Sequence, residues 1–182
     1  MERKLIIGST EKKDGWETFD VKEDADHVGD AKDLSRFEDG IFDVVYASHV
    51  LEHFDFTGSI QQALKEWYRV LEMDGKLYIS VPDMRVLCDL YNRGENAQSR
   101  FMISRMIFGG HCDKNDYHYT GLDIDILGAF LNCAGFKGMK KVDTFGIFED
   151  TSNLKVGDIL ISLNVIVHKE GRDEVVPLET SL

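Results

Sequence analysis

Ionisable side chains directly follow an apolar segment in the first third of the chain. Residues 43–47 are DVVYA, one acid and then four apolar residues, which is typical of a strand buried on both faces of a parallel sheet. Ser48, His49 and His53 come next. Ligands bind at the carboxyl ends of strands in open α/β sheets, and a neutral imidazole can accept a proton near neutral pH. The segment predicts a ligand site, with His53 as either a general base or a structural histidine.

A polar loop at residues 109–121 carries a second group of imidazole and aromatic side chains. Its sequence, GGHCDKNDYHYTG, contains four residue types that bind metals: His111, Cys112, Asp113 and His118. Their spacing matches no familiar zinc pattern, so we expect no metal. We interpret the loop as a lid that binds an acceptor, with residues 117–119 facing it and His111 and His118 as further candidate bases. The alternative is a solvated loop with one histidine packed inside.

Apolar periodicity predicts the elements that position these groups. Strands are expected at 4–8, 16–21, 27–31, 43–47 and 76–81, and helices at 59–71, 84–92, 97–108 and 124–134. Two longer alternating strands, 137–145 and 158–168, can pair antiparallel. In the second of them we expect Ser162 and Asn164 to face solvent or a helix dipole and assign them no chemistry.

Small or acidic residues end the first three predicted strands: Gly8, Asp20 and Asp30. A carboxylate at a strand end can accept hydrogen bonds from two hydroxyl groups at once. Each residue also has an ordinary interpretation, because glycine and aspartate are common in turns.

These features together resemble the class I S-adenosylmethionine-dependent methyltransferases of the small-molecule type, with a shortened N-terminal motif. The resemblance extends over residues 4–169. It implies an α/β fold with a Rossmann-like, seven-stranded, mostly parallel sheet, a C-terminal antiparallel hairpin and helices on both faces. Gly8-Ser9-Thr10 stands where the family usually has three glycines, and the clipped loop ends at Gly15-Trp16, as in a subgroup of small methyltransferases.

The resemblance implies S-adenosyl-L-methionine as cofactor and a binding role at four strand ends. The implied cofactor-binding residues are Gly8, Ser9, Asp20, Asp30, Ala31, Ser48 and His49. The turn at Gly8 would approach the methionine part of the cofactor, and Asp20 would accept from both ribose hydroxyls. Asp30 would accept from the adenine amino group beside the backbone of Ala31.

The implied activity is methyl transfer to an oxygen or nitrogen of a small molecule, a sugar or a lipid precursor. The alternative is a non-catalytic methyltransferase-fold module, for binding or regulation, in which cofactor binding is weakened or lost. The reduced glycine turn and the missing first helix favour that alternative. A nicotinamide-dependent oxidoreductase is excluded, because no glycine-rich fingerprint follows the first strand.

Composition limits the partners. The net charge of −12 and the pI near 4.9 argue against nucleic acid as substrate. No apolar run is long enough to span a membrane, and three scattered cysteines favour a reducing cytoplasm without disulfides. We expect one domain at 1–170 and a charged, flexible tail at 171–182; a homodimer is left open.

Overall fold

The computed structural model describes residues 2–170. Met1 and the predicted charged tail at 171–182 lie outside the described residues. Within the described range, no helix has the length and apolar character needed to cross a membrane.

Seven strands form one sheet: β1 Lys4–Ile7, β2 Trp16–Asp20, β3 His27–Val28, β4 Phe42–Ser48, β5 Leu71–Pro82, β6 Lys137–Val142 and β9 Ser162–His168. Their order in the sheet is β3-β2-β1-β4-β5-β9-β6. Strands β1 to β5 are parallel to one another, whereas β9 is antiparallel to both β5 and β6. The predicted fold class is confirmed, including the antiparallel C-terminal pair.

The two C-terminal strands are shorter than the sequence predicted. Strand β6 ends at Val142 and β9 begins at Ser162, and the connection contains a small antiparallel hairpin, β7 Lys155–Val156 with β8 Ile159–Leu160. Apolar and polar residues also alternate in the segments that leave the main sheet. Such alternation does not specify which strand a segment pairs with, so the predicted strands were too long.

All four predicted helices are present: α1 Ser59–Val70, α2 Met84–Arg93, α3 Ala97–Phe108 and α4 Ile124–Ala134. Side chains cap three of their N-termini. Asp83 accepts from backbone amides at the start of α2, Asn96 and Ser99 form a capping box on α3, and Asp123 caps α4. Gly135 ends α4 in the left-handed conformation (φ 107°), which glycine adopts without a steric penalty.

Helices α1 and α4 cover one face of the sheet. Trp67 on α1 is fully buried in the main core, and its indole nitrogen donates to the carbonyl oxygen of Ala31 at 2.8 Å. The inner sheet positions of this core alternate along the strands, as Leu5 and Ile7 do in β1. The Trp67 bond therefore ties the loop after β3 to the core.

The connection between β6 and β9 covers the opposite face. Tyr46 of β4 is buried there with Phe148, and its hydroxyl donates to Asp150 Oδ2 at 2.8 Å. Burial raises the pKa of Tyr46, so its hydroxyl keeps its proton and acts as a donor. The connection contains a 3-10 helix, Thr151–Asn153.

The prediction that Ser162 and Asn164 face solvent is wrong. Both are buried, because the connection folds over their face of β9. Asn164 Nδ2 donates to the carbonyl oxygens of Asp143 and Ser152 at 3.0 and 2.9 Å. The Ser162 hydroxyl donates to the carbonyl oxygen of Thr151 at 2.7 Å. These side chains satisfy backbone acceptors that burial would otherwise leave unpaired.

We expect Tyr46→Phe to lower the free energy of unfolding by about 1–2 kcal/mol, because it leaves the ring in place and removes the donor from the half-buried Asp150 carboxylate. Urea denaturation measures this loss. The matched control is Tyr78→Phe on the same face, whose hydroxyl makes no hydrogen bond within residues 2–170. Equal losses in the two variants would contradict a specific role for the Tyr46 hydroxyl.

Candidate functional site

A cleft of about 470 Å³ lies at the carboxyl ends of β1, β2 and β4. Small-molecule pockets in proteins typically have volumes of about 300–1,000 Å³. Six of the residues predicted from the sequence line this cleft: Gly8, Asp20, Asp30, Ala31, His49 and His53. The sheet order explains this, because residues that follow neighbouring parallel strands meet at one edge.

The turn at Gly8 packs closely against the side chain of Val50. Its φ is +78°, and its amide donates to the carbonyl oxygen of Phe19 at 2.8 Å. A Cβ atom on Gly8 would lie 2.3 Å from Cγ2 of Val50. The turn after β1 therefore needs glycine both for its conformation and for contact with the segment after β4.

Asp20 and Asp30 use part of their acceptor capacity in local turns. Oδ1 of Asp20 accepts from the amide of Lys22 at 2.9 Å, and Oδ1 of Asp30 accepts from the amide of Lys32 at 3.0 Å. Oδ2 of Asp20 has no hydrogen-bond donor within residues 2–170. A carboxylate has about four lone-pair sites, so the turn role and a ligand role are compatible at Asp20.

His49 bridges the end of β4 to β9 in a strained conformation. Its φ is +54°, which is uncommon for a residue other than glycine. Nε2 lies 2.9 Å from the hydroxyl of Ser162. Because that hydroxyl donates to the Thr151 carbonyl, it accepts the Nε2 proton of His49. The other ring nitrogen, Nδ1, lies 3.2 Å from Oε1 of Glu52.

Glu52 is a buried carboxylate behind the cleft. Its exposure is 1%, and neither carboxylate oxygen has a hydrogen bond of good geometry within the described residues. Burial acts to raise the pKa of Glu52, but the attraction and hydrogen bond of His49 outweigh burial, and the pKa lies below its ordinary value. Within residues 2–170 the pairing of this carboxylate is incomplete.

The loop at 109–121 is attached to the segment after β4 by hydrogen bonds. The Tyr119 amide donates to the Glu52 carbonyl at 2.8 Å, and the Thr120 hydroxyl donates to the Phe54 carbonyl at 2.7 Å. Residues 113–116 and Tyr119 line the cleft. The predicted lid thus forms one wall of the cleft.

His53 and His118 meet where the loop joins this segment. His53 Nδ1 lies 3.0 Å from the Tyr117 carbonyl oxygen, and His118 Nδ1 lies 3.1 Å from that of Met106. The two rings make an edge contact, with centroids 4.9 Å apart. Burial lowers the pKa of His118, which favours its neutral imidazole.

Four predicted site residues do not line the cleft. His118 lies against His53, and His111 donates through Nε2 to the Phe108 carbonyl at 2.8 Å while stacking on Tyr117. Ser9 accepts from the Glu11 amide at 3.1 Å, and Ser48 lies 3.3 Å from the Thr151 hydroxyl.

Sequence reasoning missed several residues of the cleft: Lys22, Lys32, Val50, Phe54 and residues 113–116. The two lysines each follow a predicted acid by two positions, so proximity to a strand end could have indicated them. Residues 113–116 lie in the loop that was predicted to be a lid, but the sequence assigned the contact with the acceptor to residues 117–119.

Comparison with known proteins agrees with this geometry. Residues 11–79 match the family described as methyltransferase domain, and the solved structures similar to the chain include S-adenosylmethionine-dependent methyltransferases. The chain has the class I methyltransferase fold. The family match begins just after the shortened glycine turn and covers less than half of the chain. No curated protein sequence is significantly similar to the chain.

Three solved structures illustrate the similarity of fold. A methyltransferase from Archaeoglobus fulgidus is 19% identical, with 92% of this chain and 86% of that one covered and a TM-score of 0.56. Phosphoethanolamine N-methyltransferase 2 of Haemonchus contortus, in complex with S-adenosyl-L-methionine, is 12% identical, with 93% and 49% covered and a TM-score of 0.56. The CurJ carbon methyltransferase is 16% identical, with 93% and 49% covered and a TM-score of 0.55. The chain thus spans about half the length of the last two.

Gly8 and Gly15 have nearly the same φ, but only Gly8 packs against Val50. Substitution by alanine should therefore lower the free energy of unfolding by different amounts at the two positions. Gly15 has a φ of +79° with nothing within 4 Å of an added Cβ. We expect Gly15→Ala to lower the free energy of unfolding by about 1–2 kcal/mol through φ alone. Gly8→Ala should cost a further 1–3 kcal/mol, roughly, through overpacking.

Urea denaturation of both variants tests this difference. Val50→Ala added to Gly8→Ala should recover part of the extra loss, because it removes the atom that the new Cβ would meet. Equal losses for Gly8→Ala and Gly15→Ala would contradict the proposed packing constraint at the cleft.

Proposed function

We propose that this chain binds S-adenosyl-L-methionine in the cleft and transfers its methyl group to an oxygen or nitrogen of a small acceptor. The observation that carries the proposal is the meeting of Gly8, Asp20 and Asp30 at one cleft in a methyltransferase fold. These are three of the four strand ends to which the family resemblance assigns cofactor contacts.

The residues present fit the cofactor. The turn at Gly8 has no side chain, so backbone can approach the methionine part closely. One carboxylate oxygen of Asp20 accepts no hydrogen bond from residues 2–170, which suits ribose hydroxyls. Asp30 and Ala31 lie on a loop that Trp67 fixes to the core, which would hold the adenine contacts in place.

The bound cofactor would supply an activated methyl group on its sulfonium. Methyl transfer then needs mainly alignment of the acceptor and exclusion of water. Because the His53 Nδ1 proton is donated to the Tyr117 carbonyl, Nε2 carries the lone pair and can take a proton from an acceptor hydroxyl or ammonium group. Phe54 and Tyr119, which also line the cleft, provide apolar surface around the acceptor.

A small acceptor, such as a sugar or a lipid precursor, agrees with two further observations. The cleft volume of about 470 Å³ is in the usual range for small ligands. The net charge of −12 would repel the phosphate backbone of a nucleic acid.

One observation favours the second candidate, a non-catalytic module with weakened or lost cofactor binding. Residues 8–15 join β1 to β2 without a helix. The chain therefore lacks, at this position, a helix N-terminus that could face the cofactor carboxylate. Direct measurement of cofactor affinity separates this candidate from the enzyme.

Asp20→Ala tests the proposed ribose contact. At a concentration about 100 times its dissociation constant, the demethylated product S-adenosylhomocysteine should stabilise the native chain by about 2.7 kcal/mol. This corresponds to a rise of about 5–10 °C in the thermal midpoint for a chain of this size. We expect Asp20→Ala to lose this rise while its midpoint without ligand stays close to that of the native chain.

The matched control is Asp24→Ala, an exposed aspartate four residues further along that does not line the cleft. It should keep the full stabilisation by S-adenosylhomocysteine. A full ligand-induced rise in Asp20→Ala would contradict the ribose assignment.

A further inference from the structure

Three side chains from two distant parts of the chain form a cluster beside the cleft. Glu52, His53 and His118 each present one potential ligand atom, and these atoms lie within 4.8 Å of one another. The sequence predicted no metal, because the spacing of His118 from the other possible ligands in its loop matches no familiar zinc pattern. The fold instead pairs His118 with two residues that follow β4.

Hydrogen bonds to backbone carbonyls place a proton on Nδ1 of both imidazoles and leave Nε2 of the neutral ring available to a metal ion. Carbonyl oxygens cannot donate, so Nδ1 of His53 and of His118 must carry the protons that they share with the Tyr117 and Met106 carbonyls. Each neutral ring then has its lone pair on Nε2. A ring proton donated to a backbone carbonyl is the usual support of a metal-binding histidine.

The buried carboxylate supplies an independent observation. Glu52 is 1% exposed, and both of its oxygens lack a well-formed hydrogen bond within the described residues. His49 Nδ1, at 3.2 Å from Oε1, gives partial compensation on one oxygen. A buried carboxylate with so few hydrogen bonds lacks a full set of partners, and a cation beside His53 and His118 would provide one.

We propose that Glu52, His53 and His118 bind a divalent first-row transition-metal ion. Two imidazole nitrogens and one carboxylate oxygen suit zinc and its neighbours better than magnesium or calcium, which prefer oxygen ligands. Metal–ligand bonds of about 2.0–2.2 Å place any two ligand atoms within roughly 4.4 Å, so small side-chain rotations close the cluster around one ion.

Three protein ligands leave a coordination position open, as in catalytic zinc sites. His53 lines the cleft, so this position is accessible to a molecule bound there. For the proposed methyltransferase, and resting on that function, an acceptor oxygen would coordinate the ion and lose its proton more readily. The ion would then replace His53 as the means of activating the acceptor.

Metal titration of the full chain, after treatment with a chelator and dialysis, tests the proposal. Zn²⁺ is titrated by calorimetry, and Co²⁺ by its visible absorption. We expect one equivalent of either ion to bind, and His118→Ala to weaken binding by at least about tenfold, since even loss of a supporting contact costs that much. Glu52→Gln, which keeps the side-chain size, should weaken binding similarly.

The matched control is His27→Gln. His27 also pairs with a carboxylate, Glu17, at 2.8 Å, but it lies outside the cluster. This variant should retain stoichiometric binding. Absence of a stoichiometric site in the native chain, or equal affinity in the native chain and in both Glu52→Gln and His118→Ala, would overturn the proposal.

Stabilisation by S-adenosylhomocysteine, measured on the same metal-free protein, keeps the two proposals separate. Ligand stabilisation without metal uptake contradicts only the metal site. Metal uptake that depends on His118, without any response to S-adenosylhomocysteine, supports the metal site and contradicts the proposed cofactor.

Discussion

The buried carboxylate of Glu52 constrains the arrangement of the whole carboxyl edge of the sheet. Its side chain is removed from water beside His49, and its carbonyl oxygen accepts from the amides of Tyr119 and Thr120 at 2.8 and 3.3 Å. Through His49 the same residue is linked to Ser162 of β9. One position therefore connects the end of β4, the loop at 109–121 and the antiparallel strand. A buried charge is costly unless its surroundings are fixed, so these three parts must be positioned together.

The cleft forms in front of this network because of the strand order. Strand β1 lies between β2 and β4, so the turn after β1 faces the segment after β4, and a Cβ atom at position 8 would clash with the side chain of Val50. The loop at 109–121 supplies another wall of the cleft through residues 113–116 and Tyr119. Residues 8–15 form no helix at this edge, and part of the cleft wall comes instead from the middle of the chain.

Much of the fold and about half of the site followed from local sequence patterns. Gly8, Asp20 and Asp30 could be assigned because each directly follows a predicted strand, and parallel strands bring such positions to one edge. The burial of Ser162 and Asn164 was not predicted. Alternation along a strand shows that its two faces differ in polarity, but it does not show which other segment covers each face. The contact of His118 with His53 could not be predicted, because it depends on how a loop without periodic pattern folds back onto β4.

Calorimetric titration of the full chain with S-adenosylmethionine and S-adenosylhomocysteine, with NADH as control, tests the central claim most directly. The proposed function predicts that both methionine-derived ligands bind at one site per chain with an affinity of roughly micromolar or better, and that NADH does not bind. Absence of binding by both ligands would contradict the enzyme and favour a non-catalytic module, with residues 8–15 as the place where cofactor binding was lost.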